Sequence, residues 1–217
     1  MKTLLVSETF TSIQGESTYI GRPCFIIRLA TCNLNCTYCD TRYVLNAADA
    51  KECDIEEIVS TAVASGVHLV EITGGEPLLQ KNTHLLAKQL IKNNFTVILE
   101  TNGSLPISDI PRGVIKLINC KCPSSGESEK MLFENFYLLK QQDEVKFVIC
   151  NEEDYKYAVN IVSSFKLLKK TEKILFSPIV DKLPASFLAN WMIRDKIPVI
   201  LQLQLHKIIW PGVERGV

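Results

Sequence analysis

The stretch "CNLNCTYCDT" sets three cysteines, Cys32, Cys36 and Cys39, in a C-x3-C-x2-C array, with an acid and a hydroxyl, Asp40 and Thr41, directly after them. Soft thiolates select zinc, copper(I) or iron–sulfur clusters. A structural zinc site is closed by four protein ligands, usually as two paired knuckles. No second pair is obvious here. Cys120 and Cys122 could supply a fourth ligand, but their C-x-C spacing is unlike the usual zinc pairing and they fall at a different strand end. Three close cysteines instead suit a cubane cluster with one iron left without a protein ligand, open to a substrate or cofactor.

Composition bounds the setting of that chemistry. The 217 residues carry 24 basic and 24 acidic side chains and are 47% apolar, which allows one ordinary core and leaves no surplus charge for nucleic acid or an anionic membrane. No apolar run approaches the roughly 20 residues that span a bilayer. Polar residues interrupt "MKTLLVSETFTSI" too early for a secretory segment. A cytosolic protein is therefore expected, in which eight cysteines read as thiols or metal ligands rather than structural disulfides. With no repeat, low-complexity tract, Pro/Gly linker or run of like charge, residues 1–217 are expected to form one unit.

Strand-like and helix-like periods alternate along the chain and must position the cysteines. "CFIIRL" (24–29), "HLVEIT" (68–73), "FTVILE" (95–100), "GVIKLIN" (113–119), "EVKFVIC" (144–150), "KILFS" (173–177) and "PVILQLQL" (198–205) read as strands. A helix is expected after Asp54, with Ile55, Ile58, Val59, Ala62 and Val63 on one face and Gly66 at its end. Others carry Leu85, Leu86, Leu90 and Ile91, then Tyr155, Ala158, Val159 and Val162, and a last one follows Pro184.

This order predicts an α/β fold: a partial, open barrel of about six mostly parallel strands, wound in the right-handed sense, with helices on the outer face. Ligands in such folds gather at the carboxyl ends of the strands. The cysteine array follows 24–29, "GGEP" (74–77) follows 68–73 and "TNG" (101–103) follows 95–100, so three loops should converge on one mouth. Taken alone, "GGEP" also reads as a tight turn whose proline opens a helix.

The cysteine array and a strand-end GGEP, about forty residues apart, resemble the radical S-adenosylmethionine (SAM) superfamily. The resemblance implies a [4Fe-4S] cluster on Cys32, Cys36 and Cys39, and a GGEP loop that holds the SAM amino group. An electron passed to the sulfonium would give methionine and a 5'-deoxyadenosyl radical, with the protein contributing placement and exclusion of water. A longer pattern is "FTSIQGESTYIGRPCFIIRLATCNLNCTYCDT" with "ITGGEPLLQ", "LETNG", "KCPSSG", "VKFVI", "LFSPI" and "QLHKIIWP". It covers nearly the whole chain and resembles the 7-carboxy-7-deazaguanine synthase family. That resemblance implies conversion of 6-carboxy-5,6,7,8-tetrahydropterin to 7-carboxy-7-deazaguanine with loss of ammonia, on the route to queuosine and other deazapurines.

The same resemblance assigns roles by position. Thr41 would lie near a Mg²⁺ ion with Asp40 beside it; both offer hard oxygens suited to that ion, although "DT" also fits a turn cap. Gln14, Glu16 and Arg28 match pterin-contacting positions, where an amide and a carboxylate can meet an aminopyrimidinone edge and a guanidinium can fork onto a carboxylate. His206, beside Lys207 in "QLHK", matches the substrate site at the end of the last predicted strand. Gly74, Gly75 and Glu76 are assigned to SAM, with Thr101, Asn102 and Ser124 joining them and Lys121 and Ser125 adjoining. Cys24, Cys53, Cys120, Cys122 and Cys150 are left as small hydrophobes or incidental thiols.

A flavodoxin or ferredoxin is the expected electron donor, and a homodimer the expected assembly. Two positions depart from the family pattern: Ser17 in "QGES" and Thr31 before "CNL" both stand where glycine is usual. A side chain there penalises φ > 0, which bears on substrate fit. The rival readings are a radical-SAM activase that places a glycyl radical on a partner protein, and a non-catalytic zinc-binding or electron-transfer module.

Overall fold

The computed structural model describes residues 2–217. The chain opens with β1 (Thr3–Ile13), β2 (Pro23–Leu29), β3 (Lys51–Asp54) and α1 (Ile55–Ala64). Next come β4 (Leu69–Gly74), α2 (Thr83–Lys92), β5 (Thr96–Thr101), β6 (Ile115–Cys120), β7 (Glu144–Ile149) and α3 (Glu152–Ser164). It closes with β8 (Ile174–Pro178), α4 (Ala185–Asp195), β9 (Ile200–Leu201) and α5 (Leu205–Ile209). All nine strands form one open sheet in the order β3-β1-β2-β4-β5-β6-β7-β8-β9. From β2 through β9 the pairing is parallel, while β1 pairs antiparallel with both β2 and β3. No helix among the described residues is long and apolar enough to cross a membrane.

Side chains alternate between the two faces of a strand, and here both faces are filled. Phe25, Ile27 and Leu29 of β2, Val70 and Ile72 of β4, and Val97 and Leu99 of β5 pack on Ile55, Ile58 and Ala62 of α1 and Leu86, Ala87 and Leu90 of α2. Phe147 of β7 and Phe176 of β8 lie in a second cluster with Tyr155, Ala158 and Val162 of α3 and Leu188 of α4. The alternate residues, Cys24, Ile26, Leu69, Ile98, Ile115, Leu117 and Leu175, make a third cluster on the concave side, with Phe10 and Tyr19 against it. They form an apolar floor inside the partial barrel. The next inward positions toward the carboxyl ends are polar: Arg28, Glu71, Glu100, Asn119 and Lys146.

Three expectations need correction. The sheet has nine strands rather than about six: all seven segments read as strands contribute one, "TLLVSETFTSI" is another, and so is the short "KECD" beside it. The last strand stops at Leu201, so His206 stands in the short helix α5 and not at a strand end. Val63 is exposed while Ile55, Ile58 and Ala62 are buried, since the apolar stripe of α1 is narrower than its composition suggests.

Ser17 and Thr31, which replace expected glycines, both adopt positive φ, 62° and 74°. The backbone keeps the left-handed turns and the side chains tolerate them. At Thr31 the turn sends the amide to the Val44 carbonyl at 2.7 Å and brings the carbonyl to the Glu76 amide at 2.8 Å. A β-branched residue in that region carries strain on the order of 1–3 kcal/mol, partly offset by the unfolded-chain entropy that a glycine adds. Thr31→Gly is therefore expected to stabilise the chain by about 1 kcal/mol, raising the thermal midpoint by roughly 2–4 °C. A lower midpoint would mean that Thr31 makes contacts worth more than the strain.

Candidate active site

The cysteines occupy the loop that follows β2. Cys32 and Cys39 are partly buried and Cys36 is buried. The Cys32 sulfur accepts from the Leu34 amide at 3.4 Å and from the Asn102 side-chain amide at 3.7 Å. Arg42 donates to the carbonyls of Cys36 and Thr37. Thr37 bonds the carbonyls of Ser124 and Ser125, at 2.6 and 3.0 Å. Burial pushes the Cys32 and Cys36 thiols up, while the nearby Lys121 ammonium works the other way on both.

Cys39 and Cys32 both act on the Cys36 thiol, so the three cysteines neighbour one another. Three thiolates from one loop are a donor set that a cubane cluster with one open iron takes.

The second loop follows β4. A β-carbon at Gly75 would overlap the Thr31 carbonyl, and one at Gly74, where φ is +145°, would overlap the Leu29 backbone. Only glycines let this strand end lie against the entrance to the cysteine loop. Pro77 opens a 3₁₀ turn, Pro77–Leu79, capped by Glu76. The Glu76 carboxylate is fully buried and accepts from the Leu78 amide at 3.0 Å, the Thr101 hydroxyl at 2.9 Å and the Asn102 amide at 2.6 Å. Burial holds its carboxyl above the ordinary range despite these donors. With donors on both oxygens, the carboxylate ties the exit of β4 to that of β5. Asn102 then joins this loop to Cys32 and Asn33.

Ser124 lies on the other flank of the cysteine loop. Its amide donates to Asp154 Oδ1 at 2.9 Å, and its hydroxyl accepts from Asn151 at 3.0 Å. Asp154 is fully buried and also accepts from the Cys150 amide at 2.9 Å, so the start of α3 fixes the loop from 121 to 125.

Below these loops lies the polar layer of the barrel. Gln14 and Glu16 approach His206 because residue 15 is glycine: a β-carbon there would overlap the His206 ring. The Gly15 carbonyl accepts from the Leu205 amide at 2.9 Å, and Gln204 donates to Glu16 at 2.8 Å. Lys146, with a side chain 4% exposed, bridges Glu16 and Glu100. Burial opposes its charge, but the two carboxylates outweigh that and raise its pKa, and in return Lys146 helps hold Glu100 below the ordinary range against burial. Burial lowers the pKa of His206.

The Arg28 Nε donates to Glu8 at 2.8 Å, and Tyr43 donates to the same oxygen. Asp40 pairs with Lys207 at 3.1 Å, and the Thr41 hydroxyl lies 3.7 Å from the Cys39 sulfur.

The structure thus gathers Gly74, Gly75, Glu76, Thr101 and Asn102 beside Cys32, and Gln14, Glu16 and His206 around Gly15, with Lys146 bonded to Glu16. Sequence reasoning passed over Glu8, Glu71, Glu100, Asn119, Lys146 and Gln204. Four of these had a signal: a polar side chain at an inward position of an otherwise apolar parallel strand, as in "LVEITG" and "EVKFVI". Of the five unassigned cysteines, Cys24, Cys120, Cys122 and Cys150 are buried and Cys53 is partly so, all as free thiols.

Residues 26–121 match the model of the radical SAM superfamily. The chain is 37% identical to the 7-carboxy-7-deazaguanine synthase of Koribacter versatilis over 98% of its own length and 99% of the relative's. It is 42% identical to the enzyme of that name from Chlorobaculum tepidum, over 99% and 97%. The crystal structure of QueE from Escherichia coli shares its fold, with a TM-score of 0.79 at 20% identity and coverage of 95% and 96%. With that similarity running from end to end, and with the cysteine and GGEP loops joined at the carboxyl ends of a parallel sheet, the chain belongs to the 7-carboxy-7-deazaguanine synthase family of the radical SAM superfamily.

Proposed function

We propose that this chain converts 6-carboxy-5,6,7,8-tetrahydropterin to 7-carboxy-7-deazaguanine with loss of ammonia. The observation that carries the reading is the junction of Cys32, Glu76 and Asn102 at the open end of a barrel whose interior turns from apolar to polar just beneath. When bound, a [4Fe-4S] cluster and SAM supply a carbon-centred radical able to remove a hydrogen atom from the substrate.

Cys32, Cys36 and Cys39 would hold the cluster, with Lys121 favouring the thiolates of Cys32 and Cys36. Glu76 receives the SAM amino group; Gly74 and Gly75 keep its loop against the cysteines, and Thr101, Asn102 and Ser124 line the same mouth. Gln14, Glu16, Arg28 and His206 take the pterin. Of these, Glu16 and Arg28 are already bonded within the protein, to Lys146 and Glu8, so substrate exchanges for or adds to those contacts. Lys146 holds Glu16 and Glu100 at fixed positions and favours the ionised form of Glu100. An activase acting on a partner protein has no use for this enclosed set of charges.

Mg²⁺ is assigned to Thr41, with Asp40 beside it and able to leave Lys207 for the ion; two hard protein oxygens leave room for water and a substrate carboxylate. A flavodoxin or ferredoxin supplies the electron. The assembly is a cytosolic homodimer, supported by the exposed apolar Ile200, Leu201, Ile208 and Ile209 on edge strand β9 and on α5.

The direct test is anaerobic: reduced, cluster-loaded protein with SAM, Mg²⁺ and the pterin, read by mass spectrometry. Deazaguanine in excess of SAM consumed is the expected result; 5'-deoxyadenosine without deazaguanine would leave the superfamily assignment and remove the substrate.

Lys146→Met should lower kcat/KM by about a hundredfold or more, since breaking a buried charge pair is worth roughly 2–5 kcal/mol. The iron–sulfur absorbance should persist, because Lys146 bonds no cysteine. Activity within threefold of the parent would remove the lysine's positioning role.

Chelation of Mg²⁺ should slow turnover without changing the iron–sulfur spectrum, and Thr41→Val should raise the Mg²⁺ concentration needed for half-maximal rate. An unchanged Mg²⁺ requirement in that variant would place the ion elsewhere.

A further inference from the structure

Glu71 lies mid-strand in β4, between Val70 and Ile72, which face the helices, and so points into the barrel. It is 6% exposed. The other acids of the chamber are committed: Glu16 to Lys146 and Gln204, Glu100 to Lys146, Asn119 and Thr73, and Glu8 to Arg28 and Tyr43. Glu71 accepts one hydrogen bond, from Gln14 Nε2 to Oε2 at 3.1 Å, and has no basic partner within ion-pair reach among the described residues.

A second acceptor in the chamber also lacks a donor: the buried Oδ1 of Asn119 has none. Exchanging the two ends of that amide would turn its oxygen toward the Glu100 carboxylate it now donates to at 3.1 Å, so the orientation is forced by charge. Two acceptors of the chamber, Glu71 Oε1 and Asn119 Oδ1, are thus left without a protein donor, above an apolar floor built from several strands. A buried carboxylate is stable there only when it is matched by donors or holds a proton.

We infer that Glu71 is a substrate-contacting, specificity-determining residue whose free carboxylate oxygen receives the N–H donor edge of a flat, amino-substituted heterocycle. This rests on the pterin reading and adds a contact to it. An amidine-like edge, a ring N–H beside an exocyclic amine, offers parallel donors to one carboxylate, the pairing that gives charge-assisted bonds their geometric selectivity.

Ionisation follows from the surroundings. Burial, and then the Glu100 charge, raise the Glu71 carboxyl to about 7, with Gln14, Lys146 and Arg28 pulling the other way. The remaining titratable neighbour, Cys24, is itself raised by burial and stays a thiol. Arg28 and Lys146 are raised and stay cationic, while Glu100 is lowered and stays ionised. Below neutrality Glu71 is protonated and must release that proton before its carboxylate can accept two N–H groups. KM for the pterin should accordingly rise as pH falls through 7 in the parent enzyme. His206, whose pKa is lowered, adds a separate change at lower pH.

The discriminating variant is Glu71→Gln, which keeps an acceptor for Gln14 and removes the charge. Steady-state kinetics with the pterin, run on cluster-loaded enzyme between pH 6 and 8.5, should give a KM raised at least tenfold above pH 7, a smaller change in kcat, and no rise of KM near neutrality. Glu71→Asp should recover part of the affinity. If the parent makes deazaguanine and Glu71→Gln keeps its KM and its pH profile, Glu71 only positions Gln14 and the inference fails. If the parent does not turn over the pterin at all, the failure lies with the substrate reading instead. Thermal denaturation serves as the folding control, where Glu71→Gln should melt no lower than the parent, because it removes an unpaired buried charge.

Discussion

The arrangement of the mouth depends on satisfying one buried carboxylate. Glu76 is fully buried, and a charge in that position is tolerated only if its oxygens find donors. It finds them in the Leu78 amide just ahead and in Thr101 and Asn102 at the end of the neighbouring strand. Meeting that requirement pins β4's exit to β5's exit, and Asn102, so fixed, reaches Cys32 and Asn33. The cysteine loop is thus held from the side by the residues that satisfy Glu76. Gly74 and Gly75 are the steric condition for it, because a side chain at either would push the strand end away from Leu29 and Thr31.

Beneath the mouth the governing term is charge in a low-dielectric interior. Lys146 would be costly to bury alone, and so would Glu100; with the lysine set between two carboxylates, the opposite charges offset that cost. Glu16 reaches it from the loop after β1, Glu100 from β5 and Lys146 from β7. One lysine therefore joins segments from the beginning, middle and later part of the chain across the barrel. The apolar floor contributes by excluding water, which strengthens every interaction above it.

What sequence could reveal follows from these same forces. The parallel strands were legible because strands covered on both faces read as apolar runs, and "CFIIRL", "HLVEIT" and "EVKFVIC" each fall within two residues of β2, β4 and β7. β1 was not, because half of its side chains are polar and it pairs antiparallel at the side of the sheet, where one face need not be covered. β9 was overextended for another reason. The Gln202 amide still donates to the Phe176 carbonyl of β8, but its side chain clasps the Ser17 backbone, accepting from its amide and donating to its carbonyl, and Gln204 turns to Glu16. Their side chains thus serve a loop from the other end of the chain, although the alternation reads as a longer strand. The cysteine and GGEP loops were legible because their chemistry is local. Glu100, Lys146 and Glu71 were not, since what defines them is a partner far away in sequence.

The two left-handed non-glycine residues show which of these levels prevails. Ser17 and Thr31 could have relaxed toward ordinary φ by moving their loops, but each loop is held at its far side. The Ser17 backbone is gripped on amide and carbonyl by Gln202, and its hydroxyl accepts from the Tyr19 amide. Thr31 is held between Val44 and Glu76. A few well-aligned hydrogen bonds, each worth about 1 kcal/mol net and more when their loss would orphan a buried group, exceed a backbone strain of similar size. The loops that bear the cysteines and Glu16 thus keep one path whichever small residue occupies these positions, because that path is set by contacts with the ends of other strands rather than by the conformational preference of the residues on it.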